Sequence, residues 1–332
     1  MISGILNLSV SQYAAKTVRD SKNYNLTLSS NHQYSERSAL NLKIKSLRET
    51  SQENDIGTVT PERRQRNQQT INPSWSYNLT QKIFLSLNYQ YGQTRYSGYS
   101  TLTDYNIHNL TTGLNYSYNA RNQFGINIAS SLYSSGENIF INSGAISTSN
   151  YDLSAVYAHD FSETFNASAS IGSRYTENTR TAGFIFAGNL INVNEYTLYG
   201  SGMTFSGSLK KQFQKVLLNA KLSRNVSPSS TGGMSLNDNI SVTSNYSWDE
   251  KLSFNLGFAS SFIQNNNINT TISDRSSLRL LLGMSWKFNK QLRLGLNYSH
   301  RRQDNGYGDG YAPINNIDLR LEYRPVKTSI SR

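Results

Sequence analysis

The 332-residue chain has no cysteine, only 5 prolines and no long apolar run. Without cysteine, the chain cannot form a disulfide scaffold, a thiolate metal site or a cysteine nucleophile. No stretch approaches the roughly 18 continuous apolar residues that a membrane-spanning helix needs. Hydrophobic residues make up only 36% of the chain. This composition excludes a helical membrane protein, but it permits a transmembrane β-barrel, whose alternating strands are polar on average.

The chain also has few acidic residues relative to basic ones, with Lys and Arg outnumbering Asp and Glu by 32 to 21. A basic balance suits nucleic acid, acidic polymers or lipopolysaccharide, so the positions of the charges must decide among them. The first ten residues, "MISGILNLSV", lack the basic start and the apolar core of a signal peptide. If the protein is exported, we therefore expect this sequence to be its mature form.

Side chains alternate between apolar and polar along most of the chain. Residues 278–300, "LRLLLGMSWKFNKQLRLGLNYSH", contain two such runs joined by a polar turn, which predicts a β-hairpin. Most of these runs are nine to thirteen residues long, close to the roughly 9–11 residues of a spanning strand and longer than the 5–6 of a typical globular strand. Sixteen strands are predicted, at 4–13, 24–34, 39–47, 67–79, 83–91, 106–118, 123–132, 150–159, 164–175, 202–211, 215–223, 238–248, 252–262, 276–288, 292–300 and 316–323.

The predicted connections alternate strictly between seven short turns and eight long polar segments. This places all short turns at one end of an up-and-down meander, as in outer-membrane proteins with short periplasmic turns and long extracellular loops. We therefore predict an all-β fold, a transmembrane antiparallel up-and-down β-barrel of about 16 strands. Residues 1–332 should form this single domain, closed by pairing of 4–13 with 316–323.

Aromatic residues on the apolar phase collect near the strand ends, whereas the middle of that phase is aliphatic. Two aromatic belts around an aliphatic band are typical of a lipid-facing wall. This distribution favours a location in the bacterial outer membrane over a soluble all-β protein. The predicted belt residues are Tyr77, Tyr118, Trp248, Trp286, Tyr298 and Tyr323.

The opposite phase carries small polar residues, and its mid-strand charges are mostly basic. Two interpretations remain open. In the first, the cations only keep a water-facing wall soluble and pair with acids across strands. In the second, they create an electropositive lumen that concentrates anions. The predicted pore-lining residues are Lys43, Lys45, Arg174, Lys221, Arg279, Arg293 and Arg320.

The longest predicted connection, residues 176–201, contains "AGFIFAGNLI" at 182–191. Its apolar side chains would be costly to leave in water at ~25 cal/mol per Å². We expect them to fold against the barrel wall as a constriction formed by Phe184, Phe186 and Leu190. The alternatives are a contact for a partner protein, or an extension of the hairpin formed by the two flanking strands.

No catalytic pattern occurs in the chain. The four histidines fall on the lipid-facing phase near strand ends, and no serine-hydrolase, zinc-protease or nucleotide-binding motif is present. We expect no enzymatic activity, no cofactor and no metal site. The basic stretches 61–66 and 299–305 are predicted to lie on outer loops, where lipopolysaccharide phosphates would supply the counter-charge. We expect no nucleic-acid partner.

"YDLSAVYAHDFSETFNASASIGSRYTE" (151–177) and "LGMSWKFNKQLRLGLNYSHRRQDN" (282–305) resemble bacterial outer-membrane porin-like barrels. In particular, they resemble the β-barrel porins found beside exopolysaccharide and protein-sorting loci in Gram-negative bacteria. The resemblance implies a channel for small solutes or for an anionic envelope polysaccharide. The alternative is a non-conducting structural barrel that anchors or encloses a partner of a secretion or surface complex.

The C-terminal stretch "NNIDLRLEYRP" resembles the assembly signal of such barrels, with Leu319, Leu321 and Tyr323 in phase. It lacks the usual glycine, and nine residues follow Tyr323. The resemblance implies three kinds of partner: outer-membrane lipid with lipopolysaccharide, the barrel-assembly machinery, and an anionic solute or polysaccharide.

Overall fold

The computed structural model describes residues 2–11, 21–52, 63–97, 103–137, 144–186, 189–228, 234–265, 274–304 and 311–323. Every regular element in these ranges is a β-strand. Within them, no helix is long and apolar enough to cross a membrane.

The strands are β1 (Ile2–Ser11), β2 (Ser21–Ser35), β3 (Ser38–Gln52), β4 (Arg63–Asn78), β5 (Ile83–Tyr96), β6 (Tyr105–Asn119), β7 (Asn122–Ser135), β8 (Ile146–Ser162), β9 (Phe165–Phe186), β10 (Asn189–Gln212), β11 (Val216–Pro228), β12 (Met234–Ser247), β13 (Leu252–Asn265), β14 (Arg275–Lys287), β15 (Leu292–Asp304) and β16 (Tyr311–Tyr323).

The sixteen strands form one sheet, in which each strand is hydrogen-bonded to its neighbours in the chain. Neighbouring strands run antiparallel, for example β2 with β3 and β14 with β15. Each of the sixteen predicted strands overlaps an observed one. The prediction of an all-β, antiparallel, up-and-down fold is therefore confirmed. The strand order begins with β1 and ends with β16, so the pairing of residues 4–13 with 316–323 stays a prediction.

Several strands continue beyond the predicted ends, into segments that the sequence assigned to outer loops. Residues 63–66 of the first basic stretch belong to β4, and residues 299–304 of the second belong to β15. The basic stretches are thus corrected from loops to strand ends. Cross-strand polar contacts extend the ladder there, since Arg48 Nη2 donates to Gln65 Oε1 at 2.7 Å and Arg66 forms an ion pair with Glu49.

The largest correction concerns residues 176–201. β9 has 22 residues and β10 has 24, and only 187–188 separate them. The segment is an extension of the hairpin formed by the two flanking strands, rather than a 26-residue loop. The side chains of 182–193, which include the constriction candidates Phe184, Phe186 and Leu190, lie outside those that the structure describes, so the constriction stays a prediction.

The short turns share a local hydrogen-bond pattern. In four of them a side-chain oxygen of residue i accepts from the backbone N–H groups of residues i+2 and i+3, and i is Thr80, Asn119, Asp249 or Asn289. Asn and Asp favour such turns because their short side chains reach the backbone two residues on. Hydrogen bonds from the backbone N–H groups of Leu252 and Lys251 hold the pKa of Asp249 below its usual value.

The chain divides into two compact units. The first unit comprises residues 1–157, 170–205 and 226–236, and the second comprises 158–169, 206–225 and 237–332. In the first unit, Leu28 pairs with Ile44 and Ile44 pairs with Ile71. In the second unit, Leu256 pairs with Leu282. Directly paired residues share a face of the sheet, so each unit has one apolar face. The single domain predicted for residues 1–332 stays a prediction.

These apolar faces are exposed. Among the described residues, only Ile107, Tyr133, Ile146 and Met234 are buried hydrophobic side chains, whereas forty-four large hydrophobic residues are exposed. In β7, for example, Phe124, Ile126 and Ile128 are 48%, 54% and 59% exposed. A soluble monomer rarely exposes such contiguous apolar surface. The exposed face is therefore suited to lipid.

Candidate functional site

The lipid-facing wall of the first unit ends in aromatic residues at its short-turn end. Tyr77 stacks on Trp75 with ring centroids 5.7 Å apart, and Tyr118 is 60% exposed. Tyr34 packs edge-on against His32 at 4.4 Å. Amphipathic rings of this kind favour the boundary between hydrocarbon and headgroups.

The second unit has a similar aromatic row near its short turns. Trp286 lies 4.4 Å from Phe288, and Trp248 follows the last residue of β12 and packs edge-on against Tyr246 at 6.1 Å. Tyr323 is 64% exposed at the end of β16. The structure thus places these predicted belt residues at or just beyond strand ends.

Farther from the short turns, polar atoms on the apolar face find amide and histidine partners, and the predicted belt residue Tyr298 lies near the middle of β15. Tyr298 Oη donates to Asn315 Oδ1 at 2.9 Å, and His300 Nδ1 lies 2.8 Å from the same oxygen. In the first unit, Tyr89 Oη lies 2.8 Å from His108 Nδ1. The interfacial position that the sequence predicts for these histidines stays a prediction.

The opposite face of the first unit is polar. Lys43 is exposed and pairs in register with Ser29 and Asn72, and Asn72 Nδ2 donates to Asn88 Oδ1 at 2.8 Å. Lys45, on the same phase, pairs with Thr27 and Thr70.

Glycines on this polar face let neighbouring amide side chains lie along the wall. A Cβ at Gly113 would come within 2.6 Å of Asn127 Oδ1 and 2.8 Å of Ser86 Oγ. In the second unit, a Cβ at Gly283 would overlap Asn255 Oδ1. Since these glycines have no side chain, the polar side chains of the neighbouring strands can lie flat against the sheet at these positions.

The polar face of the second unit carries two pairs of like charges between β14 and β15. Arg279 lies directly opposite Arg301, and Lys287 lies directly opposite Arg293. The two pairs are eight residues apart along β14, or roughly 27 Å. Like charges directly opposite each other destabilise a sheet. Sequence analysis missed Arg301 because its segment was assigned to a loop, although continuation of the alternation past His300 would have identified it.

Arginines outside the predicted pore-lining set form ion pairs. Arg224 donates from Nε and Nη2 to the two carboxylate oxygens of Asp238, each at 2.6 Å, and Arg95 Nε lies 3.8 Å from Asp104. Within the described ranges, none of the seven predicted pore-lining residues takes part in these ion pairs or in that of Arg66 with Glu49. Arg320 lies opposite Gly295 and is exposed.

The remaining two predicted pore-lining residues differ from each other. Lys221 in β11 is exposed. Arg174 in β9 is only 7% exposed, and a Cβ on Gly202 would come 3.0 Å from its Nη2 atom. The guanidinium therefore lies over a glycine, so Arg174 is better placed to order the wall than to meet a solute.

No group of three or more His, Asp or Glu side chains suited to a metal ion occurs among the residues that the structure describes. The expectations that the protein is not an enzyme and needs no cofactor stay predictions.

No protein-family model and no curated protein sequence matches the chain. Solved structures do match. The alcaligin outer-membrane receptor FauA from Bordetella pertussis is 12% identical with a TM-score of 0.54, and covers 98% of this chain and 60% of its own. The FrpB iron transporter from Neisseria meningitidis is 12% identical with a TM-score of 0.55, and covers 91% and 57%. The copper transporter OprC is 10% identical with a TM-score of 0.60, and covers 98% and 62%.

At these identities the likeness shows the fold, which is that of the outer-membrane β-barrels. The chain spans about 60% of the length of these structures. A fold of this class with a lipid-suited wall belongs in the outer membrane of a Gram-negative bacterium, as the sequence predicted. The narrower resemblance to porins beside exopolysaccharide loci stays a prediction.

Proposed function

We propose that the protein is an outer-membrane transport channel whose polar wall attracts anions. The observation that carries this proposal is the pair of like-charge contacts on the polar face of β14 and β15, Arg279 with Arg301 and Lys287 with Arg293. Like charges in register oppose the stability of the sheet. Glu322 of β16 lies opposite Arg293 and offsets part of the charge of the second pair, so Arg279 and Arg301 are the stronger case. A function that uses a concentrated positive charge explains why both are present on one hairpin.

The surroundings of the first pair support an anion-binding role. Along the same face of β14, Arg279 is flanked by Ser277 and Leu281, and Leu281 lies opposite Ser299. Hydroxyl groups and guanidinium groups are suitable donors to carboxylate, phosphate or sulfate oxygens. Arg279 itself is exposed, so a solute beside this wall has access to it.

The cargo that fits such a wall is a small anionic solute or an anionic envelope polysaccharide, passed in a porin-like manner. Two cationic pairs roughly 27 Å apart on one hairpin suit a polymer or separate small anions equally well. Among the structural neighbours are an outer-membrane receptor for alcaligin, an iron transporter and a copper transporter. A negatively charged metal chelate is a third cargo of the same chemistry.

Conductance of the purified protein in planar bilayers tests the proposal. We expect discrete channels, with reversal potentials in a KCl gradient that favour chloride. The double variant Arg279→Glu/Arg301→Glu should weaken or invert this preference. The control Arg37→Glu/Arg121→Glu changes the net charge equally but lies in two short turns, and it should keep the chloride preference.

Two outcomes would contradict the proposal. A silent bilayer would favour the non-conducting structural barrel that anchors or encloses a partner. Cation selectivity in the unmodified protein would show that acidic groups elsewhere dominate the field of the pore.

A further inference from the structure

The lipid-facing phase of the first unit changes character along each strand towards the long-loop end. Along β3 it passes from Leu42 and Ile44 through Ser46 to Arg48. Along β5 it passes from Leu85 and Leu87 through Tyr89 and Tyr91 to Gln93 and Arg95. Successive residues on one face are about 6.7 Å apart. The face is therefore layered as aliphatic, then aromatic on β5, then uncharged polar, then cationic.

The register shows that the polar layers of neighbouring strands meet on this face. Arg48 pairs with Asn67, and Asn67 pairs with Arg95. The two arginines are thus two strands apart, or roughly 9.6 Å. One step closer to the apolar wall, Ser46 pairs with Gln69, Gln69 with Gln93, and Gln93 with Asn106. We call Arg48, Asn67, Gln69, Gln93, Arg95 and Asn106 the outer polar band.

Hydrogen bonds hold both guanidinium groups in place. Arg48 donates to Gln65 Oε1 at 2.7 Å. Arg95 donates from Nη1 to the carbonyl oxygen of Tyr105 at 3.3 Å and from Nη2 to Asn106 Oδ1 at 3.2 Å. Asp104 lies 3.8 Å from Arg95 Nε and offsets part of its charge. Preorganised arginines lose less conformational freedom when they bind an anion.

The band continues the lipid-facing wall on the same face. Below it, Tyr91 pairs with Ile71 and with His108, and Ile71 is 43% exposed. A ligand that contacts the whole series needs hydrocarbon for the aliphatic layer, hydroxyl-rich groups for the amides and an anion for the arginines. A soluble anion would use only the last of these layers.

We propose that the outer polar band binds the headgroup of a phosphorylated glycolipid of the lipid A type in the outer leaflet. The acyl chains lie against the exposed side chains of Ile44 and Ile71, the sugars contact the Gln and Asn amides, and the phosphates contact Arg48 and Arg95. This site uses residues on the apolar phase of the first unit, whereas the anion-attracting wall uses residues on the polar phase of the second, and it does not depend on conduction.

Binding of defined lipids to the purified full-length chain in neutral detergent tests the site. Native mass spectrometry would compare bisphosphorylated lipid A with dephosphorylated lipid A and phosphatidylglycerol. We expect bisphosphorylated lipid A to bind most tightly, and Arg48→Gln/Arg95→Gln to weaken its binding at least tenfold. Arg48→Lys/Arg95→Lys, which keeps the charge, should lose less.

The control Arg37→Gln/Arg121→Gln removes two positive charges from short turns of the same unit and should leave lipid A binding unchanged. Heat-modifiable migration on gels would confirm that each variant is folded before its binding is compared. Equal affinity of the unmodified protein and Arg48→Gln/Arg95→Gln would overturn the proposal. So would phosphatidylglycerol binding as tightly as lipid A, or competition by inorganic phosphate at millimolar concentration, which would indicate a site for soluble anions.

Discussion

Leu281 and Leu282 are adjacent residues of the same type on opposite faces of β14, and they allow a matched test of the two walls. Leu282 is 49% exposed and pairs with Leu256 and Tyr298 on the apolar face. Leu281 pairs with Gly257 and Ser299 on the polar face. We expect Leu282→Arg to destabilise the folded protein in a bilayer much more than Leu281→Arg does.

The magnitude follows from the surroundings of each side chain. Leu282 is near the middle of β14, where an arginine on the lipid face of a barrel costs about 2–4 kcal/mol. Full burial of a leucine side chain contributes roughly 1.5–3 kcal/mol. Because Leu282 is about half exposed to lipid, removal of its contact with hydrocarbon accounts for about 1 kcal/mol of this cost. The folding equilibrium of Leu282→Arg should therefore fall about 30- to 700-fold. Leu281→Arg keeps the Cβ that lies over Gly257 and points its charge at water, so its cost should stay below about 1 kcal/mol.

Reversible unfolding of the protein in lipid vesicles by guanidinium chloride, followed by tryptophan fluorescence, would measure both free energies of unfolding. The slope of the transition must be the same for all three proteins for the comparison to hold. Equal destabilisation by the two substitutions, or a larger cost at position 281, would refute the assignment of the apolar face to lipid.

Three further predictions concern other parts of the sheet. The pKa of Asp249 is lowered in the folded protein, so the contribution of this carboxylate to stability is present above its unfolded pKa of about 3.9 and is lost as the pH falls through its folded pKa. The unfolding rate of Asp249→Asn, measured at a series of pH values, should therefore depend less on pH below about 4 than that of the unmodified protein. An equal pH dependence of the two proteins would exclude Asp249 as a source of the effect. If β1 and β16 close the barrel, cysteines at position 6 and at one of 317, 319 or 321 should form a disulfide on oxidation in a chain that otherwise has no cysteine. The in-register pair Leu296→Cys/Leu319→Cys on β15 and β16 is the control and should also form a disulfide. Failure of every β1–β16 pair while the control pair forms would contradict closure. Deletion of 182–191 should raise single-channel conductance if these residues narrow the lumen, and unchanged conductance would leave the extended hairpin or a partner contact.

The number, phase and order of the strands could be predicted from sequence. The alternation of apolar and polar residues with a period of two depends only on which face of each strand meets lipid. Leu256, Leu282 and Tyr298 were assigned to one phase, and the register pairs them directly. The same argument gave the polar phase, and with it Arg279 and Arg293. It did not give the Arg279–Arg301 contact, since pairing across strands depends on the register as well as on the phase.

The strand ends could not be predicted in the same way. Beyond the membrane both faces of a strand meet water, so residues such as Arg48 and Gln65 carry no alternation to mark them as strand. Their backbone ladder is visible only in the structure. The stretch "AGFIFAGNLI" was assigned to a loop because it lies outside the alternating runs, whereas residues 182–186 belong to β9 and residues 189–191 belong to β10.

Because every strand pairs with its neighbours in the chain, the hydrogen-bonded pairing of the sheet joins segments that are close in sequence. Such pairing between neighbouring strands has a low contact order, and a low contact order favours fast folding. Each hairpin is a unit that can be added to or removed from the meander without changing the register of the others. The number of strands in such a sheet can therefore change in steps of two during evolution, while the lipid-facing pattern of each strand is preserved.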